Sequence, residues 1–485
     1  MVDTDSLVTT CLNSEGIDCF IYARLVYDYD IDPFKVWCEF HVSPDEKDPR
    51  DDFLEFLMEQ GNDHESNTIN EMIPDAEKVV SETPEEGFEL VVKSMTGGIK
   101  AIANAPVFYM PEGLKGVIDL LERDDSNRSL FGDFHYTVSE IKLAKNIKSY
   151  HILQGAFYNY LVGKIQGYTP ESFKIINRDR EILEIPYNER ELFNVLSEIR
   201  AIKEGKEVSP TYGSCDWPWE TFANKEAIHR KDVSLINGVG KATKYKLCDV
   251  GIKSIDDVDA ASHASLCSVK GIGEKTAIKM KNSAQAIISS NPVKIKDISL
   301  PDVGTEIFLD LEGTGEQIGE QDLISMDYLI GVTVRKNDEI KYIPFFADSL
   351  ESEEKMFKEF LDWLVEQEDY IIYHWHHYER THLSKLVEKH GTEYDVKSIL
   401  FDKMIDLHKI SVRSFSFPTY GTGLKEIAKY VGFDWRDSEI NAMISAVIFL
   451  NYATTGNKEG LDRVIGYNED DCNATMVIKD WLTSN

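Results

Sequence analysis

The sequence predicts a multidomain α/β protein, and three observations carry that prediction. At 485 residues the chain exceeds what one hydrophobic core organises, so two to four domains are expected. Short apolar strand patterns mix with helical stripes before residue 205 and again after residue 300. Between them lies a segment with an internal glycine repeat and its own charge balance. The expected divisions are 1–205, a connecting segment 206–228, a middle domain 229–292 and a last domain 300–485.

The net charge of −33, from 85 acidic and 52 basic residues, argues against phosphate binding by the chain as a whole. His229 to Ala284 differs: 10 Lys and Arg against 6 Asp and Glu make it a basic island. Met1 to Thr10 has no basic stretch leading into an apolar one, and no apolar run approaches the ~18 residues of a membrane span. Neither secretion nor membrane insertion is expected. Seven scattered cysteines without a C-x-x-C pair fit reduced thiols in the cytoplasm.

In the first domain, Asp52 to Gly61 has a helical rhythm with Phe53, Phe56 and Leu57 apolar, and His64 is expected just beyond it. Gly116 to Glu122 reads as a strand bearing Asp119. After a turn at Asp124 to Asn127, Tyr136 to Leu143 reads as a second strand. Side chains alternate along a strand, so Glu140 and Lys142 share the face of Val138. A helix over Ser149 to Val162 lines up Tyr150, Gln154 and Tyr158.

His64, Asp119, Glu140-x-Lys142 and Gln154-x-x-x-Tyr158, in that order, resemble the RecB-like branch of the PD-(D/E)xK nucleases. The resemblance implies a restriction-endonuclease-like α/β domain in which His64, Asp119 and Glu140 hold Mg2+ or Mn2+. It implies that Lys142 orients water and stabilises the pentacovalent phosphorus. Gln154 and Tyr158 would support the site and contact the nucleic-acid backbone. Some relatives carry an iron–sulfur cluster on one early and three late cysteines. Here Cys11 and Cys19 are early candidates, but Cys215 stands alone in Tyr212 to Trp219, so no iron–sulfur cluster is expected.

The pattern loosens around Lys203 to Pro210, where a domain boundary is expected. Beyond it, Ile236-Asn-Gly-Val-Gly-Lys-Ala-Thr243 is echoed by Val269-Lys-Gly-Ile-Gly-Glu-Lys-Thr276, with Gly238 and Gly271 33 residues apart. Both copies resemble the helix-hairpin-helix element. That implies a small all-α domain whose backbone N–H groups bind DNA phosphate without reading sequence. Gly238, Gly240, Gly271 and Gly273 would let the phosphate approach, and Lys241, Lys244, Lys275 and Lys279 would add charge.

Asn291 to Pro301 reads as a linker into the last domain. There Glu306-Ile-Phe-Leu-Asp-Leu-Glu-Gly313, as a strand, puts Phe308, Asp310 and Glu312 on one face and Ile307, Leu309 and Leu311 on the other. Paired carboxylates on one face fit either a solvent-facing edge strand or a metal site. Tyr328 to Val334 and Glu339 to Phe345, flanking Arg335 to Asp338, read as a hairpin continuing the sheet. An amphipathic helix over Glu353 to Glu366 follows, then a strand, Tyr370 to Tyr373, and a helix with Glu379 on the stripe of Leu383 and Leu386. In the final helix, Leu461 to Leu482, the apolar stripe of Val464, Tyr467, Ala474 and Ile478 is interrupted by Asp471. A metal shared with Asp310 and Glu312 is the economical partner for that carboxylate.

Asp310-x-Glu312, Glu379 and Tyr467-x-x-x-Asp471 resemble the DEDD exonucleases of the RNase H-like fold, and Tyr467 marks the DEDDy type. In detail, Phe-Leu-Asp-Leu-Glu-Gly, Tyr-His-x-x-x-Tyr-Glu and Tyr-Asn-x-x-Asp resemble the YprB-like exonucleases. The resemblance implies two-metal hydrolysis, with Asp310, Glu312, Glu379 and Asp471 as ligands and Tyr467 positioning the attacking water. Glu379 stands where the family usually has Asp, and Asp406 is the other candidate. The density of His374, His376, His377 and His382 raises zinc. With no cysteine nearby, His374 is read instead as lining the groove.

Together these resemblances imply a Mg2+- or Mn2+-dependent deoxyribonuclease of DNA repair or recombination with two unlike hydrolytic sites. Its substrate would be single-stranded DNA or DNA with ends, and a helicase or repair factor its partner. Exonuclease action is expected, with endonuclease action open at the first site. The alternatives are a 3'-5' exoribonuclease of RNA processing and a DNA-binding scaffold without catalysis.

Overall fold

A computed structural model describes residues 3–315, 325–337 and 339–485, without the side chains of 52 and 53. Met1, the Phe53 side chain and Asp338 fall outside the described residues. The chain divides into two compact units, Met1–Glu226 and Ala227–Asn485. Among the described residues no helix is long and apolar enough to cross a membrane.

In the first unit, strands β1 (Ala101–Tyr109), β2 (Leu114–Asp124), β3 (His135–Ile141), β4 (Ser172–Ile176) and β5 (Ile182–Pro186) lie side by side in chain order. The pairs β1–β2, β2–β3 and β4–β5 are antiparallel, whereas β3–β4 is parallel. A parallel pair needs a crossover, and helix α2 (Ser149–Gln166) supplies it. Helix α2 packs Leu153, Phe157 and Leu161 into the core that holds Val138. Helix α1 (Asp52–Met72) brings Ile69 against Leu120 and Ile141 in a second cluster. Strand β3 is therefore covered on both faces, which is why Glu140 is fully buried.

Helix α1 does not stop at Gly61, so His64 lies inside it rather than beyond its end. One helical glycine costs only about 1 kcal/mol. Burial of Thr68 and Ile69 further along offsets it. The expected connecting segment is also packed: Cys215, Trp219 and Ala223 join Phe34 and Cys38 in a buried cluster. The buried ammonium of Lys35 pairs with Asp28 at 2.8 Å and with Asp216.

The second unit begins with short helices, among them α3 (Lys241–Asp249) and α4 (Glu274–Ser289). A five-stranded sheet follows, with β6 (Thr305–Gly313), β7 (Asp327–Lys336), β8 (Glu339–Phe346), β9 (Tyr370–His374) and β10 (Met404–Asp406) in the spatial order β8–β7–β6–β9–β10. Strands β6, β7 and β8 form an antiparallel meander, and β9 and β10 run parallel to β6. The carboxylate-bearing strand is thus central, and the edge-strand reading falls. Helices α5 (Glu353–Leu364), α6 (Tyr378–His390), α7 (Leu424–Tyr430) and α8 (Leu461–Ser484) surround the sheet. Phe308 and Tyr373 share a core with Ala474 and Ile478 of α8, which brings the Asp471 stripe onto β6. Pairing of Val293–Lys294 with Phe415–Ser416, and a bond from Asn237 Nδ2 to the Thr419 carbonyl (3.1 Å), tie the helical region to this α/β part.

Candidate active site

Among the described residues, one set of three acidic or imidazole side chains brings its ligand atoms within 4.8 Å of one another: Asp310, Glu312 and Asp471. Strand alternation supplies the first two and the helical stripe of α8 the third. Glu312 and Asp471 are buried, and Asp310 is partly open. Asn468, one turn before Cys472, donates from Nδ2 to Asp310 Oδ2 (2.7 Å) and accepts from the Tyr342 hydroxyl (2.8 Å) at Oδ1. Gly331 faces Asp310 across the β6–β7 pair. A Cβ at Gly331 would lie 1.6 Å from Asn468 Oδ1, so only glycine leaves room for that amide.

Asp471 Oδ1 accepts from Trp435 Nε1 at 2.6 Å, and Tyr467 also hydrogen-bonds Asp471. The next residue, Arg436, donates from its backbone N (2.9 Å) and Nε (2.8 Å) to Asp470, which pins this loop to α8. Lys425 of α7 places Nζ 4.8 Å from the Tyr467 ring centre. Burial raises the carboxyl pKa values, and crowding adds to it. Asp310 and Glu312 lie well above the ordinary range, burial first and the Asp471 charge next. Asp471 is pushed up to about 7 by burial, against the Trp435 bond and Lys425. Burial, reinforced by Asp471, also keeps the Tyr467 phenol protonated.

Closely spaced buried carboxylates cannot all ionise without a cation. An all-oxygen set fits a hard divalent ion such as Mg2+ or Mn2+. Glu379 is outside the close set, although its charge reaches Asp310. Its Oε2 is buried with no hydrogen-bond partner, 3.4 Å from His374 Nδ1. His374 is buried beside Glu379 and does not line an open groove. Asp406 serves as a helix cap, accepting from Lys409 N at 2.9 Å. The other histidines disperse: His382 binds Asp327 at 2.7 Å, while His376 and His377 approach one another to 3.4 Å.

In the first unit, Lys142 Nζ lies 2.8 Å from Glu140 Oε2 and 3.8 Å from Asp119 Oδ2. Burial opposes the Lys142 charge, but Glu140 and Asp119 outweigh it and hold the ammonium protonated. Asp119 Oδ2 also accepts from Ile141 N (2.7 Å), whereas Glu140 Oε1 is buried without a partner. His64 is buried in α1, and His64, Asp119 and Glu140 do not form a close ligand set. The ammonium of Lys142 bridges the two carboxylates where a cation would otherwise be drawn. Tyr158 is buried, bonded to Gln154 and the Val117 backbone, with its ring against Gly116. It supports the sheet and is not open to a ligand. Glu65, one residue after His64, lies within reach of the charges of Asp119 and Lys142. Burial first and the Asp119 charge second push its pKa up to about 7.

The two glycine repeats have nearly the same backbone. Gly238 and Gly271 are left-handed (φ +87° and +98°), and Gly240 and Gly273 cap α3 and α4 (φ −82° and −91°). No atom lies within 4 Å of a Cβ built at Gly238, Gly240 or Gly273. Lys275 and Lys279 are exposed and Lys241 is half-buried. Lys244 does not join them as expected: it is buried, with Nζ 2.7 Å from Asp232, because its position on α3 points inward. Lys246 is a cation the motif did not single out, with Nζ 3.8 Å from a Cβ built at Gly271.

Residues 307–483 match the family model of the RNase H superfamily, and residues 231–286 match that of the SAM-like helix-hairpin-helix tandem. No curated protein matches the chain. The chain therefore carries an RNase H superfamily domain preceded by a tandem helix-hairpin-helix domain.

Proposed function

We propose that the protein is a divalent-metal-dependent deoxyribonuclease of DNA repair or recombination, with its principal site at Asp310, Glu312 and Asp471. The observation that carries this reading is the approach of those three carboxylates to within 4.8 Å in a buried setting. Asp310, Glu312 and Asp471 would hold Mg2+ or Mn2+, with Glu379 as a further ligand. The ion supplies water activation and charge neutralisation at the phosphate. Tyr467, kept as a neutral phenol by burial, orients the attacking water through its hydroxyl and takes no proton itself. Trp435 fixes Asp471, and Asn468 fixes Asp310.

The open glycines at 238, 240, 271 and 273, with Lys241, Lys246, Lys275 and Lys279, would hold the DNA backbone. A second, RecB-like hydrolytic site is proposed at Asp119, Glu140 and Lys142, with Glu65 as an added carboxylate. In support, Glu140 Oε1 is buried and unpartnered, and Lys142 is held protonated beside Glu140 and Asp119. The test is hydrolysis of matched single- and double-stranded DNA, and of the same strand as RNA, with Mg2+ or Mn2+. Asp310→Ala and Lys142→Ala would be assayed singly and together. Each single variant should lose part of the activity and the double variant all of it. A fully active double variant would remove both sites, and faster cleavage of RNA would favour the exoribonuclease.

A further inference from the structure

Tyr378 opens helix α6 and is 39% exposed, whereas the neighbouring Tyr373 and Trp375 are buried. Its ring stacks on His382, one turn along, with centroids 4.0 Å apart and planes 27° from parallel. His382 Nδ1 is bonded to Asp327 Oδ1 at 2.7 Å, and Asp327 is itself buried. The Asp327 backbone N–H donates to Glu353 Oε1 (2.8 Å), and Glu353 Oε2 holds Lys389 and His390. A chain of hydrogen bonds thus fixes the imidazole behind the tyrosine. Tyr378 Oη lies 3.2 Å from a Cβ built at Gly313, the residue after Glu312, and the charges of Asp327, Glu312 and Asp310 reach the phenol. Glu379, whose charge reaches Asp310, follows Tyr378 directly.

Carboxylates repel a polyanion, so a nucleotide entering this centre needs a neutral point of attachment as well as the metal. A backed, exposed aromatic face at the rim provides one, because every base has a π-face. We infer that Tyr378, stacked on His382, is the nucleobase platform for the nucleotide entering the Asp310–Glu312–Asp471 centre. This rests on the nuclease reading of that centre. Stacking tolerates any base, so the platform confers affinity without sequence preference.

The experiment uses the full chain carrying Lys142→Ala, to silence the other proposed site. It compares a DNA strand with ordinary terminal nucleotides against one with abasic residues at both ends. The parent should show a KM about tenfold higher on the abasic strand, with kcat little changed. Tyr378→Ala should give the same high KM on both strands, and Tyr378→Phe should behave as the parent. An equal loss on both strands in Tyr378→Ala, or no change on either, would overturn the platform. Adding Asp310→Asn separates the two claims. Retained activity there would sink the nuclease reading of the centre. An inactive Asp310→Asn with a Tyr378→Ala variant still sensitive to the terminal base would sink the platform alone.

Discussion

Asn468 Nδ2 donates to Asp310 Oδ2 at 2.7 Å across 158 residues of sequence. This bond takes one carboxylate oxygen of the central strand, within the cluster that also holds Asp471. The amide is held from behind by the Tyr342 hydroxyl, and it fits only because residue 331 lacks a Cβ. Removing a group that orients a metal ligand costs about 10–100-fold in metal affinity or activity. Asn468→Ala and Gly331→Ala should each lower Mn2+ affinity and hydrolysis by that order, and Tyr342→Phe by less. Mn2+ titrations alongside circular dichroism would check this. Wild-type Mn2+ affinity in Gly331→Ala would show that the contact does not govern Asp310.

The carboxylate cluster predicts how stability changes with pH. A group whose pKa is higher in the fold than in the unfolded chain binds an extra proton when folded between those two values. For Asp471 the window runs from 3.8 to about 7, and for Glu140 from 4.5 to about 7. Their contribution is whole below the lower value and lost as pH rises through the upper one. Metal-free protein should therefore melt at a higher temperature at pH 5 than at pH 8. Added Mn2+ replaces the lost protons, so its stabilisation should grow across the same window. Calorimetric scans in chelator and in Mn2+ at both pH values test this. A pH-independent Mn2+ effect would contradict it.

The helix-hairpin-helix lysines should separate into two classes. Lys244→Met leaves Asp232 buried without its cation and should cost about 3–5 kcal/mol of stability. Lys275→Ala and Lys279→Ala, on exposed positions of α4, should leave the melting temperature unchanged and weaken DNA binding. Each should reduce the salt slope by about 1. Denaturant melts and anisotropy titrations over a salt series distinguish the classes. An intact melting temperature with weakened binding in Lys244→Met would reverse the assignment.

The left-handed glycines offer a fourth test. Gly238→Ala and Gly271→Ala force a β-carbon onto φ values of +87° and +98° and crowd the phosphate approach. DNA affinity should fall several-fold in each, by the same anisotropy titration. Because the repeats have matching backbones, the double variant should lose binding further. Unchanged affinity in the double variant would remove the hairpins from the interface.

Period-two alternation in β6 and one carboxylate inside the apolar stripe of α8 are the signals that group Asp310, Glu312 and Asp471. Both signals are local. What brings Asn468 to Asp310 is not local: it depends on the register that sets Gly331 opposite Asp310, which neither strand encodes alone. Lys244 is indistinguishable in sequence from Lys241 and Lys246, because three lysines on one short helix look alike until the helix is rotated onto its core. Glu65 was hidden by Gly61, which reads as a helix end, although burial beyond it carries α1 to Met72. Trp435 and Lys425 come from loop and helix positions with no periodic signal, and only the fold brings them to the centre.

The most direct measurement is a calorimetric titration of Mn2+ into the full chain and into its Asp310→Asn variant at pH 8. The expected result is that the wild-type protein binds Mn2+ and that the variant loses at least one binding equivalent while keeping its fold. Superimposable isotherms for the two proteins, or no Mn2+ binding by either, would contradict it.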